Sequence, residues 1–465
     1  MKKQLFFDDK LLFGRDNLVR RYGKPEMVSA YSDGITSTDF GTGWVFPLAD
    51  GKFRMLYYGH SKAYSGKKLF AAESFDGINF TPERFDEAAN KTYPHEIMNI
   101  EPGWEIADVF EDKYCKNPEQ RYKMLVAVHV FDEIRMSDKI FTSGDLLNWT
   151  IMEGVSWGND TEPMACVFYN KHKKVYTIIE RPFWGVRCAG YKETADWENF
   201  TEYRYCVNVD SLDEKLSEIY GMFAFEYDGM YIGLPHLYRG LKSEFNAKYK
   251  NGIIDTELAY SYDGRYWQRS IREPFISGMG CDEPYYLTWI TSMRKGGDGK
   301  VYFYGSVSEQ EHGPAFHNPQ NAKIVTYSMR EDGFISLVTE KPKETSSIIT
   351  REKLWEGGEL HLNLKAKRAT VGVFVTDDSE LVEGNLLGFA RPIEGYTHED
   401  CIPLSGDLTD WVPKFKDGRK IDELSGKTLV FELRLEEGEV FSLSGDYIDL
   451  FNTQAARYRY LNVLP

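Results

Sequence analysis

Cysteine is scarce in this chain. Six occur in 465 residues (Cys115, Cys166, Cys188, Cys206, Cys281 and Cys401), with no CxxC spacing and no clustered histidine partners. That excludes a zinc finger or ribbon and argues against a disulfide framework; dispersed thiols in a chain of this size fit buried residues in a reducing compartment. Long apolar runs are also missing, and no stretch reaches the length of a membrane span. The opening Met1-Lys2-Lys3-Gln4-Leu5-Phe6-Phe7-Asp8-Asp9 meets carboxylates before any apolar segment of useful length, so no signal peptide is read and a cytoplasmic protein is expected. Positive charge is in deficit: Lys and Arg number 56 against 72 acids, for a net charge of −16. This argues against nucleic acid or an anionic membrane as partner and leaves a neutral small molecule such as a carbohydrate compatible.

What the chain has is aromatic residues, 15% of the total, and a phrase that recurs five times. A polar turn containing Asp or Gly runs into one large aromatic. The copies are Ser74 to Phe80, Ser143 to Trp149, Ala195 to Phe200, Ser261 to Trp267 and Ser328 to Phe334. They lie roughly fifty to seventy residues apart, the scale of a repeated supersecondary unit. Such a unit cannot bury its own apolar face alone. Upstream of each copy lie short runs rich in Tyr, Phe, Val and Ile, with hairpin breaks such as Ala49-Asp50-Gly51 and Tyr227-Asp228-Gly229. Three strands, a turn and a fourth strand carrying the aromatic make one propeller blade. The expectation is an all-β chain, with a five-bladed β-propeller over 1–345 and blades near 36–90, 91–155, 156–210, 211–275 and 276–340. A strand at Lys3 to Phe7 is expected to complete the last blade near 324–335. The repeat aromatics Phe80, Trp149, Trp267 and Phe334 read as packing residues.

After the polar, Pro-containing stretch Glu340 to Ser347 the grammar changes. Gly358 to Leu364, Arg368 to Thr376, Lys427 to Leu435 and Val440 to Leu443 alternate apolar and polar residues. Evenly spaced alternating strands predict a C-terminal β-sandwich over 346–465. With no density of acids beside aromatics comparable to the first region, it is expected to support folding or position substrate.

In a propeller the innermost strand of each blade begins at the rim of a central funnel. Those starts read Thr38 to Trp44, Glu101 to Glu105, Gly158 to Pro163, Ser217 to Met222 and Gly280 to Tyr285, and each carries a carboxylate. Cleavage of a glycosidic bond needs one acid to protonate the leaving oxygen and a second carboxylate to attack or to activate water. A carboxylic acid stays protonated near neutral pH when burial or neighbouring negative charge raises its pKa, and a ring of acids supplies such neighbours. Asp39, Asp160 and Glu218 are the catalytic candidates. Asp282 and Glu283 are candidate ligands for sugar hydroxyls, and Trp44, Trp104, Trp157, Trp184 and Tyr285 candidate stacking surfaces. His60, His95, His236, His312 and His317 are candidates for lining the funnel, with His236 taken as substrate-binding. Each acid also has a plain structural reading, as a turn cap at Asp39 and Asp160 and as a solvated residue at Glu218.

The chain resembles the five-bladed propeller glycosidases of families 32, 43 and 68, with the sandwich that family 32 members carry. The Leu5-Phe6-Phe7-Asp8-Asp9 opening and the Cys401-Ile402-Pro403-Leu404-Ser405-Gly406-Asp407 phrase are similar to those of bacterial family-32-like glycosyl hydrolases. The resemblance implies that Asp39 is nucleophile or base, that Asp160 orients substrate and tunes the acid, and that Glu218 is the general acid. It departs from the pattern at all three: there is no Trp-Met-Asn-Asp-Pro-Asn-Gly at Asp39, no Arg-Asp-Pro at Asp160 and no Glu-Cys at Glu218. It implies no cofactor and no catalytic metal, with a structural calcium near a central histidine left open. A furanoside or other small oligosaccharide is the expected substrate. The alternatives are a mannoside phosphorylase on the same propeller, for which the rim offers Arg181 and Arg187 as phosphate ligands, and a non-catalytic carbohydrate-binding propeller.

Overall fold

Strands and turns account for nearly all of the computed structural model, which describes residues 1–34, 36–38, 41–61, 66–85, 93–128, 138–158, 162–182, 186–240, 252–279, 285–313, 322–376 and 390–450. The chain divides by contacts into two units, one of residues 24–329 and one of residues 1–23 with 330–465.

Among the described residues, the 24–329 unit holds four sheets, of six, four, four and eight strands in chain order. The eight-stranded sheet joins two antiparallel groups through a single parallel pair, Ile254 opposite Leu287. Its last member is Glu26–Tyr31, which pairs antiparallel with Lys323–Arg330. The early chain therefore does meet the region around 324, but through Glu26–Tyr31. Lys2–Leu5 pairs instead with Ser442–Gly445 in the other unit.

The repeated phrase is a hydrogen-bonded turn in the first four copies. Asp76 Oδ1 accepts from the backbone of Ile78 and Asn79, each at 2.8 Å, while Ser74 Oγ accepts from Gly77 at 2.9 Å. Asp145 with Ser143, Asp196 with Thr194 and Asp263 with Ser261 repeat the arrangement. A short side chain that captures its own following amides offers the backbone a turn in place of a ladder. The residue after each Asp takes positive φ (Gly77 at 71°, Leu146 at 68°, Trp197 at 67°, Gly264 at 73°). The fifth copy differs: Asp332 is buried and takes bonds from Lys3 and Ser442.

Five strands, Trp44–Pro47, Trp104–Glu111, Cys166–Asn170, Ser217–Tyr227 and Leu287–Lys295, touch one another in sequence, and the last returns to the first. Their C-terminal halves line one cavity of about 630 Å³. Side-chain hydrogen bonds join each neighbouring pair of strand sets. Asp108 accepts from Trp44 Nε1 at 3.1 Å and from the Val167 amide at 2.8 Å. The Ala224 amide donates to Cys166 Sγ at 3.1 Å, the Ile290 amide to His236 Nε2 at 3.1 Å, and Thr291 Oγ1 to the Gly43 carbonyl at 3.0 Å. Three of these strands carry a β-bulge at a matching place, within Ile106-Ala107-Asp108, Ile219-Tyr220-Gly221 and Ile290-Thr291-Ser292. An extra residue re-aims the side chains around it.

Among its described residues, the second unit contains a nine-stranded sheet and a two-stranded one. Two long strands dominate it, Lys353–Thr376 and Thr428–Asp449, in a register that runs from Trp355 opposite Tyr447 to Val375 opposite Leu429. Its core gathers Trp355, Leu362, Val371, Phe431 and Leu443 with Phe6 and Leu12 from the start of the chain. By contacts, then, this unit takes in residues 1–23 and 330–345 as well as the expected 346–465.

Candidate functional site

Glu218 is the second residue of strand Ser217–Tyr227, which returns through the tight turn Asp228-Gly229 to Met230–Gly240. Both turn residues have positive φ, 48° and 90°, as a two-residue hairpin of this hand requires. The register sets Glu218 opposite Tyr238, and the bulge after Ile219 leaves Tyr220 as the extra residue. Glu218 Oε2 accepts from Arg187 Nη1 at 2.6 Å. The Arg187 guanidinium lies 5.4 Å from the centre of the Tyr220 ring and 5.6 Å from that of Tyr238. Arg181 lies 4.5 Å from the same Tyr220 ring, donates to the Tyr220 carbonyl at 3.2 Å and pairs with Glu162 at 2.6 Å. The Tyr220 hydroxyl meets His312 Nε2 at 2.8 Å.

The result is a cluster of two guanidinium–carboxylate pairs on a tyrosine platform. Tyr220 is buried, and burial pushes its phenol pKa up against the pull of Arg181 and Arg187. Arg181 is nearly covered and stays charged: burial works against its proton, and its interactions with Tyr220 and the Glu162 carboxylate outweigh that. Gly221 leaves little room here: a Cβ would stand 3.0 Å from the Trp289 ring, which would have to give way. Chemically the cluster offers carboxylate oxygens, fixed donors and aromatic faces together, as recognition of a polyhydroxylated ligand demands.

Of the other predicted residues, Asp39, Asp160, Asp282 and Glu283 lie outside the described residues, as do Trp184 and His317. Trp44 is fully buried, stacked on Tyr58 and bonded to Asp108, so its ring faces are turned to packing. Trp104 is half-buried and sits edge-on to Phe141. Trp157 is buried, and its indole donates to the Val126 carbonyl. Tyr285 is mostly buried, with Lys323 Nζ 3.5 Å from its hydroxyl. His236 is fully buried, stacked 3.8 Å from the Trp289 ring, and its Nε2 accepts from a backbone amide. Burial holds its pKa down at about 3, so it stays neutral. His95 pairs with Asp33 at 3.2 Å, in a group with Tyr57 and Tyr31, while His60 lies on strand Phe53–Ser61.

Sequence reasoning reached Glu218 and named Arg181, Arg187 and His312, but it did not join them, and it passed over Tyr220, Tyr238 and Glu162 as site residues. The usable signal was Glu218-Ile219-Tyr220-Gly221, where a polar strand start precedes a glycine that lets another chain approach.

No family model matches the sequence, and no curated protein does. Among solved structures, the chain is similar to an N-acetylgalactosamine deacetylase from F. plautii, solved with blood group B trisaccharide, at 12% identity and a TM-score of 0.45, covering 69% of this chain and 97% of that one. It is similar to a structure from a study of the GH130 mannoside phosphorylase family and its hydrolases of β-1,2 mannosidic linkages, at 16% identity and a TM-score of 0.39, covering 66% and 94%. A fructofuranosidase from Schwanniomyces occidentalis complexed with fructose is similar at 9% identity and a TM-score of 0.42, covering 91% of this chain and 97% of that one.

Proposed function

We propose that the chain is a glycoside hydrolase of small oligosaccharides, furanosides first among them, with its site on a five-bladed propeller formed by the 24–329 unit. The observation that carries this reading is the Glu218–Arg187 pair on Tyr220 and Tyr238, beside Arg181–Glu162. Glu218 serves as general acid, Asp39 as nucleophile or base, and Asp160 orients the sugar. Resting against Arg187, Glu218 is held as a carboxylate acceptor; to donate a proton it must be freed, and substrate hydroxyls can take up the guanidinium. Both chemical roles fall to carboxylates, so the reading calls for no cofactor. The partner is a small carbohydrate. Among the described residues no helix is long and apolar enough to cross a membrane; a cytoplasmic site of action remains part of this proposal.

The test is a panel of nitrophenyl furanosides and pyranosides with purified protein and with Glu218→Gln. Turnover that the substitution abolishes supports the reading, whereas binding without turnover would favour a carbohydrate-binding propeller. Phosphorolysis is the second reading, favoured by two guanidinium groups over one ring. Each already holds a carboxylate, so phosphate would have to displace Glu162 or Glu218. Turnover that depends on added phosphate decides for it.

A further inference from the structure

A depression of about 490 Å³ opens on the 1–23/330–465 unit, within the size range of small-ligand pockets. Its floor is made of short residues. Ser347 pairs across to Arg434, Arg434 to Thr370, and Gly372 to Glu432, so these positions fall in adjacent rows of one sheet face. Long charged side chains form the wall.

The wall is pre-arranged. His398 Nδ1 meets Thr370 Oγ1 at 3.0 Å and its Nε2 meets Glu432 Oε2 at 3.1 Å, so both ring nitrogens are held. Arg434 donates to both oxygens of Glu432, at 3.0 and 3.1 Å. Thr370 is only 5% exposed, and the side chains of His398 and Glu432 are 10% and 14% exposed. Exposed ion pairs on an outer sheet face contribute little and hold no fixed geometry; here Thr370, His398 and Glu432 are largely desolvated and bonded into place, while Arg434, 46% exposed, reaches over them from the solvent side. Gly372 gives a second sign of construction. A Cβ there would stand 2.7 Å from the His398 ring, so the ring lies flat on the strand because that residue is glycine. The turn carrying His398 is itself pinned, since Asp400 accepts from the amide and hydroxyl of Thr397 at 3.1 and 2.7 Å.

The chemistry of the lining selects the ligand. Arg368, Arg434 and His398 stand against Glu399, Glu432 and Glu436, which leaves no surplus of positive charge for a phosphate. Leu435 is the one apolar lining residue, which offers nothing to a lipid or a flat hydrophobic ligand. We propose that this depression is a second, non-catalytic site for a neutral polyhydroxylated ligand, a sugar or related polyol, whose vicinal hydroxyls bridge the Arg434–Glu432 fork and His398. The site is independent of the chemistry proposed for Glu218.

The experiment uses the full chain labelled with ¹⁵N-histidine, the His398 ring signals being assigned with His398→Gln. Fructose, mannose and inorganic phosphate are titrated separately. The His398 signals should shift saturably with at least one sugar and not with phosphate. Arg434→Gln and Gly372→Ala should each weaken that response roughly tenfold or more, with the thermal midpoint checked for each variant. If Gly372→Ala unfolds the protein, Arg434→Gln alone decides. No shift with either sugar, a shift unchanged in Arg434→Gln, or a response to phosphate alone overturns the proposal. Sugar binding at Glu218 would move His312 instead, so failure at one site is distinguishable from failure at the other.

Discussion

The two units solve the problem of holding β-strands together in opposite ways. The second unit spans two strands of 24 and 22 residues around one apolar cluster, with Trp355 stacked on Tyr447 and edge-on to Phe431. In the first, several smaller apolar clusters lie among the strand sets, and buried polar groups such as Asp108, Thr291 and His236 join one set to the next. Polar joints are directional, and the Glu218–Arg187 and Arg181–Glu162 pairs belong to this unit. A continuous apolar core can tolerate slippage in a way that a site of paired charges cannot.

The largest effect expected from this contrast is on rate. General acid assistance is worth roughly a hundred- to ten-thousand-fold. Glu218→Gln should lose that much on an oligosaccharide and far less on an activated nitrophenyl glycoside, whose leaving group needs little help. Equal losses on both would mean that Glu218 is not the acid. Asp39→Asn should cripple both substrates. In the second unit the large effect is on stability: Trp355→Ala empties a fully buried site and should cost about 3–5 kcal/mol in denaturant unfolding. Turnover per folded molecule should stay unchanged. A fall in kcat without a fall in stability would erase the division of labour drawn here.

Asp108 sharpens the comparison through pH. Burial raises its pKa to about 7, against hydrogen bonds from Val167, Val109 and Trp44. The folded protein therefore holds a proton that the unfolded chain has released above its lower pKa. Stability from this group is lost as pH rises from about 4 to about 7. Asp108→Asn removes the linkage, so melting midpoints at about pH 5 and about pH 8 should lie closer together in the variant. An unchanged gap would show that Asp108 is not the titrating joint. The smallest effect belongs to the repeated turns. Asp145→Ala should cost on the order of 1 kcal/mol, and Asp145→Ala with Asp263→Ala should add to within about 0.5 kcal/mol, since the turns are separate.

The turns were legible in the sequence because everything they need is local: Asp76 bonds amides two and three residues on. Strand grammar was legible for the same reason. Partnership was not. Lys2–Leu5 and Glu26–Tyr31 are both short strands near the start of the chain, and nothing local says which meets Lys323–Arg330. Arg187 and Glu218 stand 31 residues apart in sequence, and only the fold makes them a pair. Aromatic position misleads in one way: Trp44, at a strand start, suggests a stacking surface, whereas its indole is committed to Asp108. Within the site, sequence named Glu218 and its arginines but gave no sign of the bulge that presents Tyr220.

The pairing of Glu26–Tyr31 with Lys323–Arg330 bears on the order in which the protein is made. On the ribosome, residues 1–23 emerge before 24–329, yet their partners lie beyond residue 330 and in part at Ser442–Gly445. The 24–329 unit, whose own closing strand waits only for residues near 328, can be complete while the opening segment still has nowhere to go. A nascent chain halted once about residue 330 has cleared the ribosome should therefore show a protease-resistant middle and a cleavable front, and longer chains that expose 335–350 should begin to protect that front.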